Sequence, residues 1–162
     1  MAILRPTVFD DGIYTWTDPE QTYDANDANY GYFNGGAPDP SGAGLAVWSG
    51  WSNDTSPIQT IKVKLSTASC TTGRWGLRIS AEASPTWPNP ADYTVMEALS
   101  GDNVGATWYE IAVPEGWDLE DLKVCCYGSR EGEPSGMTIN VYDVQVLAEE
   151  IQEIRSHKQS LG

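Results

Sequence analysis

Ile61-Lys62-Val63-Lys64-Leu65 is the stretch on which the fold turns, with an aliphatic residue at every second position and a lysine between each pair. Side chains alternate across a β-strand, so this spacing puts Ile61, Val63 and Leu65 on one dry face and both lysines on a wet one. The same period recurs downstream, where Trp75, Leu77, Ile79 and Ala81 share a face and Arg74, Arg78 and Glu82 stand among the alternate positions. Further strands are expected at Tyr93–Leu99, Thr107–Val113, Leu122–Tyr127 and Met137–Leu147. Turn signals separate them at Pro85–Pro90, Ser100–Asn103, Pro114–Gly116 and Gly128–Gly136. This rhythm predicts an all-β protein, an antiparallel β-sandwich of jelly-roll-like type. Its expected interior is Ile61, Val63, Leu65, Trp75, Leu77, Ile79, Trp108, Ile111, Val113, Leu122, Val124, Ile139 and Val141.

Within the last strand the inward set changes from Met137, Ile139 and Val141 to Val144 and Val146. A bulge near Tyr142-Asp143 would produce that change, as would a strand buried on both faces. Upstream, Gly12–Trp16 is the first turn-bounded strand candidate, and the Gly-rich tract Gly31–Gly44 reads as a long loop. Residues 1–11, with Pro6 and Asp10-Asp11, read as an extended N-terminal arm. Beyond the sandwich of residues 12–147, Leu147, Ile151, Ile154 and Leu161 recur at roughly helical spacing. Glu149, Glu150 and Glu153 come early and Arg155, His157 and Lys158 late, which predicts a short amphipathic C-terminal helix and tail over 148–162. A chain of 162 residues suits one such domain.

The formal net charge of −14 sets a field that repels nucleic-acid phosphates and anionic membranes, so neither is expected as a partner. Met1-Ala2-Ile3-Leu4-Arg5-Pro6 has no long apolar run behind its arginine, and no signal peptide is read there. Cys125 and Cys126 are adjacent on a strand and point to opposite faces, so Cys70, Cys125 and Cys126 are expected as unpaired thiols. The single histidine, His157, falls on the expected terminal helix, so the sequence gives little support to a Ser–His or Cys–His site. Glu82, Glu97 and Glu110 sit on candidate strands where a glycosidase-like carboxylate pair could arise, but outward strand positions are ordinarily solvated. No cofactor is expected. Asp24, Asn26 and Asp27 offer hard oxygen ligands that could suit calcium, although the run departs from an EF-hand loop at Ala28, Asn29 and Gly35. Asx-turns account for the same residues more simply.

Trp48, Trp51, Trp87 and Trp117 fall near turns and are candidate partner-binding residues, for a protein surface or a sugar ring. Ile151, Ile154 and Leu161 form the apolar stripe with which the terminal helix would dock.

The opening Leu4-Arg5-Pro6, then Trp16-Thr17, then Asp24 with Asn26-Asp27-Ala28-Asn29-Tyr30, resembles the start of small β-sandwich proteins among the structural components of tailed bacteriophages. Trp108-Tyr109-Glu110-Ile111-Ala112-Val113-Pro114, Leu122-Lys123-Val124 and Val141-Tyr142-Asp143-Val144 are similar to the final strands of viral and carbohydrate-binding jelly-roll modules. This chain has Tyr14-Thr15 where many of the phage proteins have Gly-Gly, and it adds the C-terminal helix. The resemblance implies a non-enzymatic virion accessory protein of head, neck or tail. Such a protein would be made in the host cytoplasm and attached to capsid or tail proteins and to copies of itself. The alternative is a carbohydrate-binding module that uses the loop tryptophans for host-surface glycans, and a hydrolase with a carboxylate pair is a third reading.

Overall fold

The computed structural model describes residues 2–10, 15–35, 43–51, 58–68, 73–80, 95–99, 104–117, 119–130 and 137–148. Eleven strands lie within them: β1 (Ala2–Leu4), β2 (Val8–Asp10), β3 (Trp16–Thr17), β4 (Gly31–Gly35), β5 (Ala43–Ser49), β6 (Ile58–Ala68), β7 (Gly73–Ser80), β8 (Val95–Leu99), β9 (Thr107–Ala112), β10 (Lys123–Arg130) and β11 (Met137–Ala148). They form two antiparallel sheets. The larger runs β3-β4-β11-β6-β9, with β1 pairing β11 as a sixth strand, and the smaller runs β2-β5-β10-β7-β8. From β4 onward the chain passes from one sheet to the other at every connection except β7 to β8.

Alternation decides what lies between the sheets. Ile61, Val63 and Leu65 of β6 and Ile139, Val141, Val144 and Val146 of β11 are fully buried against Trp48, Leu77, Ile79, Val124 and Cys126 of the smaller sheet. Each such aliphatic side chain contributes about 1.5–3 kcal/mol on leaving water. The change of parity in β11 is a bulge: Val141 faces Leu65 and Asp143 faces Lys64, so Tyr142 is the extra residue. Two registers of one strand are thereby both kept dry side inward.

Trp108, expected inside, is instead on the outer face. Trp108 and Ile111 differ in parity on β9, and the buried Ile111 opposite Ile61 leaves Trp108 opposite Lys64. Tyr109 takes the inward position and packs on the core. Val113 is half-buried against the same core, and the side chain of Trp75 falls outside the described part.

Gly31–Gly44 is not one loop. Gly31–Gly35 pairs with β11, and Ala43 already belongs to β5. Strand-forming Tyr32 and Phe33 are masked in the sequence by glycines, one of which is required by packing rather than by a turn. A Cβ on Gly31 would lie 2.6 Å from the Asp18 carbonyl oxygen and 2.8 Å from Thr22 Cγ2. Of the expected strand Gly12–Trp16, residues 12–14 lie outside the described residues, Thr15 is outside any strand, and Trp16 begins β3.

Within the arm expected over residues 1–11, the described residues 2–10 hold two sandwich strands. Ala2–Leu4 pairs with Val146–Ala148, and Val8–Asp10 pairs with Val47–Ser49 of the other sheet. Between them Arg5 grips β11. Its Nε and Nη2 donate to Asp143 Oδ1 and Oδ2, both at 3.1 Å, and Gln145 Nε2 donates to Oδ2 at 2.7 Å. The C-terminal helix expected over 148–162 lies outside the described residues, except that Ala148 ends β11.

Two variants test this account. Asp143→Ala leaves Arg5 facing β11 without its carboxylate. It is expected to lower unfolding free energy by about 2–3 kcal/mol, below the 3–5 of a wholly buried pair because Arg5 keeps contact with water. Gly31→Ala is expected to cost about 1–3 kcal/mol through the close approach of Asp18 and Thr22. Urea titration followed by β-sheet circular dichroism reads both, and unchanged midpoints would contradict them.

Candidate functional site

The outer face of the larger sheet is built by the bulge. The extra residue at position 142 turns a tyrosine to the same side as Asp143, where a regular strand would have sent one of them inward. Tyr32 on β4 joins it from the neighbouring strand, opposite Asn140. Tyr30 is carried there by the segment 23–30, which two Asx-turns hold. Asp24 Oδ1 accepts from the Asn26 amide at 2.9 Å, and Asn26 Oδ1 accepts from the Ala28 amide at 3.2 Å. Ala25, at φ 68°, takes the left-handed conformation within the first of these turns.

The three tyrosines form one cluster. The Tyr30 ring centroid is 5.1 Å from that of Tyr142 and 6.1 Å from that of Tyr32, and Tyr30 remains 40% exposed. Their polar border is ordered too: Asn140 Nδ2 donates to Ser66 Oγ at 3.0 Å, and Ser66 Oγ lies 3.3 Å from the Tyr142 hydroxyl. Lys64 Nζ sits 5.4 Å from the Tyr142 ring centroid and reaches Asp27 at Oδ2 (3.3 Å) and at its carbonyl (3.4 Å), tying the 23–30 segment to β6. Two residues away on β6, Lys62 Nζ lies 5.0 Å from the ring centroid of Trp108 on β9 and 3.5 Å from Glu110 Oε1. The face therefore offers aromatic surface, amide and hydroxyl groups, and two lysine–carboxylate pairs.

Two of the tryptophans expected at a binding surface, Trp48 and Trp51, are buried instead. Trp48 lies on β5, fully buried, and its Nε1 donates to Thr22 Oγ1 at 2.7 Å. That hydroxyl in turn donates to the Pro19 carbonyl. Trp51 is also buried, donating to the Leu122 carbonyl at 3.0 Å, and Trp117 is half-buried against the core. Burial is physically favoured here because each of the two indoles finds an acceptor for its one N–H. Trp48 and Trp51 thus serve the core, and Trp87, Ile151, Ile154 and Leu161 lie outside the described residues, as do Cys70, Glu82 and His157. Glu110 is on the tyrosine face, whereas Glu97 belongs to β8 of the other sheet.

Asp24 and Asn26 are engaged in Asx-turns and Asp27 with Lys64, and among the described residues no His, Cys, Asp and Glu group could hold a metal ion. Cys125 and Cys126 are both buried thiols on opposite faces of β10, Cys126 in the core and Cys125 beside Val47. Burial pushes the Cys125 thiol well above its ordinary pKa, and neighbouring Cys126 adds to the shift while Arg78 opposes it.

No protein-family model matches this sequence, and no curated protein matches it. Among solved structures, the chain is similar in shape to a module described as CBM32 of AlyQ in complex with 4,5-unsaturated mannuronic acid. The TM-score is 0.49 and the identity 12%, over 91% of this chain and 98% of that one. It is also similar to a structure described as CBM4, with TM-score 0.42 and 16% identity over 90% of this chain and 95% of that one.

A buried thiol whose folded pKa is raised contributes stability that is complete below the unfolded value, about 8.5, and is lost as pH rises toward the folded value. Unfolding free energy is therefore expected to fall more steeply above pH ~9 in the native protein than in a Cys125→Ala variant. Equal slopes in denaturant titrations at several alkaline pH values would contradict this.

Proposed function

We propose that this protein is a non-catalytic β-sandwich that binds a glycan on the outer face of its larger sheet. The observation that carries the reading is the Tyr30, Tyr32 and Tyr142 cluster, partly open to water and bordered by Asn140, Ser66, Lys64 and Asp27. A sugar presents an apolar C–H face and a rim of hydroxyls. Tyrosine rings suit the first, and amide, hydroxyl and carboxylate groups suit the second. Asp27 and Glu110 are each engaged with a lysine, an arrangement that favours hydrogen bonding to hydroxyls over cleavage. Of the tryptophans expected to bind a sugar, Trp48 and Trp51 are buried, and the tyrosines take that role in this reading.

The repeated crossing between sheets supports a jelly-roll-like arrangement. The virion setting rests on the sequence resemblance alone. Within that setting the tyrosine face would meet host-surface glycan, while a helix bearing Ile151, Ile154 and Leu161 would attach the protein to capsid or tail.

Because Tyr30 and Tyr142 point away from the core, replacing both with Ala is expected to leave the β-sheet spectrum unchanged. Retention on immobilised glycans should weaken roughly tenfold or more, the loss of a binding hot spot. Glycan retention by the double variant equal to that of the native protein would sink the proposal, as would no retention of the native protein on any glycan.

A further inference from the structure

Two of the four lysines in a chain of net charge −14 stand side by side on the tyrosine face, at positions 62 and 64. Such a pair would ordinarily mark a subsite for an acidic sugar, since an ammonium is the natural partner of a uronate, sialate or sulfate. The geometry argues otherwise. Each ammonium is matched to its own carboxylate, Lys62 to Glu110 at 3.5 Å and Lys64 to Asp27 at 3.3 Å. Each also lies near an aromatic ring, Trp108 or Tyr142, which adds a second attraction.

The order of the charges matters more than their sum. The lysine side chains are only 27% and 22% exposed, whereas those of Glu110 and Asp27 are 63% and 54% exposed. In each pair the carboxylate side chain is thus the one more open to a ligand approaching from water. Among the described residues a further cation near this face, Arg5, is held by both oxygens of buried Asp143. An anionic sugar would thus have to displace a carboxylate from a lysine while entering the field of a strongly acidic protein. An uncharged sugar has no such obstacle, and its hydroxyls can donate to the outward oxygens of Asp27 and Glu110.

We infer that the tyrosine face selects uncharged glycans and discriminates against uronic, sialylated and sulfated ones, with Asp27 and Glu110 acting as the excluding groups. The inference rests on the glycan-binding reading and deepens it. It makes the carboxylates specificity-determining residues and the lysines their positioning partners.

The test uses the full chain on an array that carries neutral, uronic, sialylated and sulfated glycans at equal density. The native protein is expected to bind neutral glycans, with affinity nearly independent of salt. In an Asp27→Asn, Glu110→Gln double variant the lysines are uncovered while the shape is kept. That variant should gain roughly tenfold or more for acidic glycans, and the gain should vanish as salt is raised. Preferential binding of acidic glycans by the native protein would overturn the inference while leaving the glycan reading intact. A double variant that binds neutral glycans but shows no gain for acidic ones would overturn the role of the carboxylates. Failure of the native protein to bind any glycan, or binding indifferent to Tyr142→Ala, would remove the glycan reading itself and this inference with it.

Discussion

Strand β11 changes the parity of its side chains once, between Val141 and Asp143, and much of the molecule depends on that single inserted residue. Before the bulge, Ile139 and Val141 fill the space over β4, and after it Val144 and Val146 fill the space beside β1. Without the insertion, one half of the strand would turn its valines to water and its polar residues to the core. The same insertion places Tyr142 and Asp143 together on the outer face. One becomes part of an aromatic cluster, and the other becomes the anchor for Arg5.

The fold was legible in the sequence to the extent that alternation was uninterrupted. Ile61, Val63 and Leu65 announced β6, and even the bulge could be read from the shift between Val141 and Val144. Where turn-forming residues are required for packing, the reading failed. Gly31 is glycine because Asp18 and Thr22 crowd it, yet in sequence it looks like part of a loop. Bulk and apolarity point Trp108 inward, whereas parity points it outward. A strand cannot bury residues 108 and 111 on one face, and the aliphatic Ile111 took the inner place opposite Ile61.

The candidate site was hardly legible, for a physical reason. Its members come from a turn-rich segment, from β4, from β6 and from the residue that interrupts β11, so no local pattern unites them. Tryptophans near turns are the largest apolar side chains in the sequence and so point to a surface site. Trp48 and Trp51 satisfy their N–H groups inside and are removed from the surface. The usable signal lay in Tyr30, Tyr32 and Tyr142. Tyr30 and Tyr32 share a parity, while Tyr142 occupies the position that the alternation of β11 could not assign to either face.

Ladder pairing between Ala2–Leu4 and Val146–Ala148 has a consequence for how the protein is made. Contacts that join residues so far apart along the chain must close a very large loop, and they depress folding rates more than local hairpins do. The larger sheet also holds β11 at its centre, between β4 and β6. During synthesis, β4 and β6 leave the ribosome long before the strand that separates them. Until β11 arrives their inner faces and open edges have no native partner, and such edges invite pairing with other chains. The outward lysines of β6 stand beside this exposed edge throughout that interval. Charge of this kind resists edge-to-edge association, so Lys62 and Lys64 guard the nascent chain before they come to lie on the finished surface.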